Sequence, residues 1–125
     1  MEFENILENL KNKIFKPIYL FYGEESYFID ELISFIQKNV LSESEKAFNQ
    51  TIVYGKDTNA VDIIEMARRY PMMANLQVVI VKEAQDLKDF KVFETYVENP
   101  VKSTMLVFGF KQTKTDLLTG IKTEL

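Results

Sequence analysis

The stretch that most constrains the fold of this chain runs from residue 17 to residue 41, PIYLFYGEESYFIDELISFIQKNVL. Residues 18–22 are apolar or aromatic without a break, and a single glycine, Gly23, follows them. Apolar residues then recur at the spacing of one helical face: Phe28, Leu32, Ile36 and Val40. The pattern predicts a buried strand, a tight turn and a helix with one buried face.

A strand, a glycine turn and a helix are also the setting of a phosphate-binding loop, because a helix N-terminus offers unpaired N–H groups and a positive dipole end. Counting from Gly23, the places of the loop's Gly-Lys-Ser/Thr are taken by Phe28, Ile29 and Asp30. We call these four residues the degenerate phosphate loop. Carboxylates that repel phosphate also surround the turn: Glu24, Glu25, Asp30 and Glu31. The sequence predicts a structural unit that holds no nucleotide.

Composition narrows the possible chemistry of the 125 residues. The chain has no His and no Cys, which excludes Ser-His and Cys-His catalysis, His or thiolate metal sites, and disulfides. We assign no catalytic residue, no metal and no cofactor. The net charge of −4 argues against a broad nucleic-acid footprint.

The sequence also bears on the cellular compartment. No apolar run approaches the roughly 18 residues of a membrane helix, and the N-terminus lacks the basic start and apolar core of a signal peptide. We therefore expect a soluble, cytoplasmic protein without a membrane contact.

The remaining periodicities predict a single α/β domain over residues 1–125. They indicate helices over 3–14, 60–69 and 86–97, strands over 48–54, 76–81 and 103–110, and a polar linker over 42–47. The imperfect alternation of residues 48–54 indicates an edge strand, and Thr58 or Asn59 can cap the helix that follows. We expect a mostly parallel sheet covered by helices on both faces, in three layers, with residues 111–125 as a connector or tail.

An unusual segment, Tyr70-Pro71-Met72-Met73, lies between the helix over 60–69 and the strand over 76–81. Connecting segments normally run over the surface and favour polar residues. Methionine adapts to irregular partner surfaces, so the segment suits protein docking. Packing of Tyr70 and the methionines beneath the end of the sheet is the alternative.

Two further places resemble parts of a phosphate-transfer enzyme. The strand over 76–81 ends in Lys82-Glu83, where an active enzyme would carry an acidic pair that holds magnesium. Arg68 and Arg69 could supply a phosphate clamp, although cations at a helix C-terminus also complement the helix dipole. Glu83 is interpreted as a charge at a helix start.

Together, several segments resemble the N-terminal domain of the delta subunit of the bacterial DNA polymerase III clamp loader. They are PIYLFYGEESYFIDELI from Pro17, FNQTIVYGKD from Phe48, and ARRYPMMANLQVVIVKEAQDL from Ala67. The resemblance covers nearly the whole chain. It implies an AAA+-like, P-loop NTPase-related fold that has lost ATP binding, and it implies that the chain is a fragment of a longer protein.

The resemblance also implies a function. Delta grips the ring-shaped sliding clamp, the beta subunit, and favours its opening during DNA replication, whereas other loader subunits hydrolyse ATP. The family's clamp-gripping apolar pair falls on Pro71 and Met72, flanked by Tyr70 and Met73, where some relatives carry Leu-Phe. This implies a non-enzymatic domain whose contacts with other clamp-loader subunits lie in absent domains and whose DNA contact needs the full assembly.

Two alternatives remain. A small P-loop-like ATPase or nucleotide kinase with an unconventional loop would bind Mg-ATP despite Phe28, Ile29, Asp30 and Lys82. A DNA-binding module would use the tail lysines, which are Lys111, Lys114 and Lys122, and its affinity would fall steeply with salt.

Overall fold

A computed structural model describes residues 2–23 and 26–111 of the chain. The predictions for Glu24, Glu25, Lys114 and Lys122 lie outside the described residues. Within that part the helices are α1 (Glu2–Lys11), α2 (Ser26–Asn39), α3 (Glu43–Asn49), α4 (Ala60–Ala67) and α5 (Phe93–Glu98). The strands are β1 (Ile18–Phe21), β2 (Gln50–Tyr54), β3 (Gln77–Lys82) and β4 (Thr104–Gly109).

The four strands of the described chain form one parallel sheet in the order β1-β4-β3-β2. β3 and β4 lie in the centre and are buried along almost their whole length. β2 lies at an edge with its residues half-buried or exposed, so the prediction of an edge strand is confirmed. Parallel strands joined by helices need cover on both faces.

Alternate strand residues face two separate cores, because side chains of a strand point to opposite faces in turn. One core contains Val79 and Val81 of β3 together with buried residues of α4 and α5. The other contains Val78 and Ile80 together with buried residues of α1 and α2. Helices therefore cover both faces, and the predicted three-layer α/β class is confirmed.

The N-terminal helix packs on its own domain. Ile6 and Leu10 of α1 are buried in the core beside α2. The helix ends at Lys11, earlier than predicted, and Lys13 has a left-handed φ of 60°. Ile14 consequently lies outside the helix and is exposed.

The prediction of a polar linker over residues 42–47 is wrong, because α3 begins at Glu43. The Ser42 Oγ accepts a hydrogen bond from the Glu45 amide at 3.3 Å, and the Glu45 carboxylate accepts one from the Ser42 amide at 2.9 Å. This reciprocal capping box satisfies two N–H groups at the helix start. The next strand accordingly begins at Gln50, and Phe48 is an exposed residue of α3.

The helix predicted over 86–97 is also wrong in its first half. Residues 84–86 and 90–92 form two short 3₁₀ helices, and only α5 is α-helical. The reason is tertiary: the Asp89 carboxylate accepts a hydrogen bond from the Ala60 amide at 3.1 Å. That amide opens α4 and has no partner within its own helix. Asn59 caps the same helix by accepting from the Asp62 amide at 2.9 Å, as predicted.

Candidate protein-docking site

The segment Tyr70–Met73, which we call the docking corner, follows the end of α4 and precedes β3. It therefore lies at the end of the sheet where the parallel strands begin. Tyr70 is 87% exposed, Met72 is 60% exposed and Met73 is 95% exposed, while Pro71 is half-buried. These exposures contradict the alternative in which Tyr70 and the methionines pack beneath the sheet. The corner offers apolar surface to solvent.

The backbone of the docking corner is held by one buried side chain, Asn49 at the end of α3. The Met72 amide donates to Asn49 Oδ1 at 2.6 Å, and Asn49 Nδ2 donates to the Met72 carbonyl at 2.8 Å. Asn49 is only 3% exposed. Met73, the next residue, adopts a left-handed conformation with φ of 57°.

The end of α4 beneath the corner is fixed by two buried polar residues of the strands, Gln77 and Thr104. Gln77 Nε2 lies 2.9 Å from the Met66 carbonyl and 2.8 Å from that of Arg69. Thr104 Oγ1 donates to the Ala67 carbonyl at 2.6 Å and accepts from Gln77 at 2.9 Å. The last carbonyls of a helix lack intrahelical partners, so these bonds set where the chain leaves α4.

The two arginines at the end of α4 lie beside the docking corner. The Arg68 guanidinium lies 5.4 Å from the centre of the Tyr96 ring, a cation–π distance. Burial raises the pKa of the Tyr96 phenol above its usual 10.0, against smaller opposing effects of the Val101 amide and of Arg68. Arg68 forms the C-cap of α4, where a cation complements the helix dipole.

The degenerate phosphate loop lies at the opposite end of the sheet, where the strands finish, and follows β1. Gly23 has a φ of 142°, which favours glycine. Phe28 packs against Phe3 of α1 with ring centres 4.7 Å apart, and Ile29 is buried in the core. Asp30 is exposed and forms a salt bridge of 2.8 Å with Lys111. Each of these three side chains has its own contact within the domain.

A cavity of about 350 Å³ opens where β2, β3 and β4 end. Its lining combines apolar residues of α2 with charged residues of both signs, which are Asp30, Lys82, Glu83 and Lys111. Glu83 has a left-handed φ of 53°, and its carboxylate accepts from Gln85 Nε2 at 2.9 Å. Glu83 directly precedes a 3₁₀ helix, which agrees with its interpretation as a charge at a helix start. Its side chain does not cap that helix.

Two groups of residues important at the docking corner were missed by sequence reasoning. Asn49 was placed in a strand, although the S-x-x-E pattern of Ser42 and Glu45 signals a helix that would end near it. Gln77 and Thr104 lie in apolar strands, and their partners are distant in sequence. Polar residues inside apolar strands were the available signal, since buried polar groups require partners.

No cluster of three or more Asp and Glu side chains suited to a metal ion occurs within residues 2–23 and 26–111. The helices of the same residues are too short or too polar to cross a bilayer.

Comparisons with known proteins agree on one family. The family model of the DNA polymerase III delta subunit matches residues 19–123. The DNA polymerase III subunit delta of Bacillus subtilis is 26% identical over 113 residues, covering 82% of this chain and 33% of that protein. The chain thus spans about a third of the length of that curated relative.

Solved structures show the same likeness. The DNA clamp loader delta protein of Bacillus subtilis superimposes with a TM-score of 0.81 at 25% identity, over 93% of this chain and 39% of that one. A DNA polymerase III gamma subunit-related protein from Thermotoga maritima gives a TM-score of 0.64 at 18% identity, over 89% and 40% of the two chains. The second likeness concerns the fold alone.

Proposed function

The chain belongs to the DNA polymerase III delta subunit family, and from this premise we propose that it binds the ring-shaped sliding clamp through the docking corner. The exposed side chain of Met72, on a backbone held by Asn49, is the observation that carries the proposal. A thioether with three rotatable bonds fits an irregular apolar pocket. Met72, supported by Pro71 and flanked by Tyr70 and Met73, is the proposed anchor.

The energetic case follows from how protein interfaces work. A few apolar anchors that enter well-packed pockets supply most of the affinity, and the surrounding contacts exclude water. Met72 and Met73 can serve as such anchors without any cost of opening the domain, because both are already exposed. The docking corner therefore suits a hot spot.

Clamp opening requires more than binding. A ligand shifts an equilibrium between two states only by its difference in affinity for them. We therefore propose that the surface gripped by the docking corner fits the open ring better than the closed ring. The domain itself then acts by binding and catalyses no reaction, and DNA replication as its setting implies the bacterial cytoplasm.

Loss of ATP binding is part of the proposal. Phe28 and Ile29 contact other parts of the domain where a phosphate loop has glycine and lysine, and Asp30 pairs with Lys111. ATP hydrolysis is assigned to other subunits of the loader. Contacts with those subunits, and with DNA in the assembled loader, are assigned to the part of the relatives that this chain does not match.

The test is the affinity of the full chain for the sliding clamp of the same organism, measured by surface plasmon resonance. We expect Met72→Ala to weaken binding by about tenfold or more, the loss of roughly 1.4 kcal/mol or more that marks an interface anchor. Val61→Ala is the matched control, because Val61 is an exposed apolar residue at the other end of α4.

Two outcomes would contradict the proposal. Absence of binding by the unaltered chain would reject the function. Unchanged affinity in both Met72→Ala and the Pro71/Met72 double alanine variant, with native circular dichroism spectra, would reject the docking corner as the site.

A further inference from the structure

The side-chain amide group of Asn49 makes three hydrogen bonds. Nδ2 donates to the Met72 carbonyl at 2.8 Å and to the Glu45 carbonyl at 3.1 Å, and Oδ1 accepts from the Met72 amide at 2.6 Å. Both Nδ2 protons are thereby used. The bond to Glu45 fixes the amide on α3, so the rest of the amide is directed at the Met72 backbone.

We propose that Asn49 is a positioning residue that gives the docking corner its binding-competent shape before the partner arrives. The inference rests on the proposed function, since it concerns the same corner and the same clamp. Asn49 lies on a different element from the corner and acts through Met72. It belongs to the docking site although its own side chain is buried.

The residue type matters at this position. Met72 presents an N–H and a C=O, and a side-chain amide of this length carries one acceptor and one donor that match them. Aspartate offers only acceptors when ionised, so it would face the Met72 and Glu45 carbonyls with negative charge. Alanine offers neither group. Each replacement leaves Met72 without at least one of the two bonds.

The docking corner needs this support because little else holds it. Residues 70–76 connect Arg69 to Gln77. Within the described part of the chain, the hydrogen bonds to the backbone of this connection are the two that Asn49 makes with Met72. The side chains of Met72 and Met73 are exposed and supply little packing. The left-handed conformation of Met73 is itself unfavourable for a residue with a Cβ.

A corner that is ordered in the free protein loses less conformational freedom on binding. Fixing the backbone of one residue carries an entropy cost that a pre-organised segment has already met on folding. Without Asn49, the clamp would bind only the fraction of molecules in which the corner has the required shape. We expect a loss of affinity of about tenfold, which corresponds to ordering roughly one backbone residue.

The experiment uses Asn49→Ala and Asn49→Asp in the full chain, with two readouts. Amide exchange of Met72, measured by NMR without the clamp, should become at least about tenfold faster in Asn49→Ala, which removes the acceptor of that amide, and should rise less in Asn49→Asp, which keeps an acceptor oxygen. Affinity for the clamp should fall about tenfold in both. In a Met72→Ala background the Asn49 substitutions should change affinity by less than about threefold, because Asn49 acts through the presentation of Met72.

Gln50→Ala is the matched control, because the neighbouring Gln50 also uses its side-chain amide to reach a backbone carbonyl, that of Gln37 at 3.1 Å. It should leave both the Met72 exchange and the clamp affinity unchanged. Unaltered Met72 exchange in Asn49→Ala would overturn the inference, as would faster exchange with unaltered affinity. If the unaltered chain fails to bind the clamp, the proposed function fails, and the exchange data alone decide whether Asn49 orders the corner.

Discussion

Met73 has a backbone conformation that residues with a Cβ rarely adopt, and its side chain contributes almost nothing to the core. Its φ is 57° and it is 95% exposed. Such conformations persist only where surrounding structure holds them, and they concentrate at functional sites. The bonds that Asn49 makes to the preceding residue supply that support. At the scale of one residue, the docking corner keeps apolar surface outside at some cost in stability.

This cost can be measured with Met73→Asn. Asparagine tolerates the left-handed region better than methionine, so we expect the free energy of unfolding in urea to rise by about 0.5–1 kcal/mol. Affinity for the clamp should fall, because an apolar side chain of the corner is lost. Met72→Asn, at a residue with negative φ, should lower affinity without any gain in stability. If Met73→Asn makes the chain no more stable, the left-handed conformation carries no cost here.

At the scale of elements, α3 connects the sheet to the docking corner. Its first turn is closed by the capping box of Ser42 and Glu45, and its last residue is Asn49. A seven-residue helix is too short to be stable alone in water, so its caps and its contacts determine whether it forms. The position of Asn49 therefore depends on the residues at the opposite end of the helix.

Ser42→Ala should weaken α3 and loosen the docking corner. Loss of an N-cap hydroxyl costs about 1 kcal/mol of stability, which should appear in urea unfolding. The Met72 amide should exchange faster as well, because its acceptor lies on the same helix. Ser44→Ala removes a hydroxyl of the same turn that lies 3.3 Å from the Ser42 hydroxyl but accepts from no helix amide, and it should leave the unfolding free energy within about 0.5 kcal/mol. Equal effects of the two substitutions would refute a role for the cap.

Local patterns predicted the strands and most helices of this chain. The unbroken apolar run before Gly23 and the alternation around Ile52 are properties of neighbouring residues, and both led to the observed strands. The 42–47 segment was misjudged because its polar composition outweighed its capping box. The helix predicted from Asp86 failed because Asp89 bonds to the start of α4, a contact that no local pattern contains.

The docking corner could be predicted in part. Four bulky residues after a helix indicated an unusual segment, but their composition left exposure and burial equally open. The backbone of Met72 is bonded to Asn49, which is 23 residues away from it in the chain. A contact between side chain and backbone over that separation has no periodicity and no fixed spacing, so only the folded structure contains it.

At the scale of the whole molecule, the two features of interest lie at opposite ends of the strands of one parallel sheet. The docking corner and Asn49 precede β3 and β2, whereas the degenerate phosphate loop follows β1. Ligands of open α/β sheets bind outside the carboxyl ends of the strands. The phosphate loop and the cavity both lie at that end of the sheet. A change in the phosphate loop at one end of the sheet would therefore leave the docking corner at the other end unaltered.

This separation leads to a prediction about nucleotides. Titration calorimetry of the chain with Mg-ATP should show no saturable heat, because Phe28 and Ile29 occupy the places of the loop's glycine and lysine and Asp30 pairs with Lys111. Asp30→Ser restores a hydroxyl and removes the carboxylate, yet it should not restore binding, since no lysine stands at the loop position that reaches the phosphates. Clamp affinity should be the same with and without Mg-ATP. Saturable binding near one nucleotide per chain would favour a P-loop-like ATPase or kinase instead.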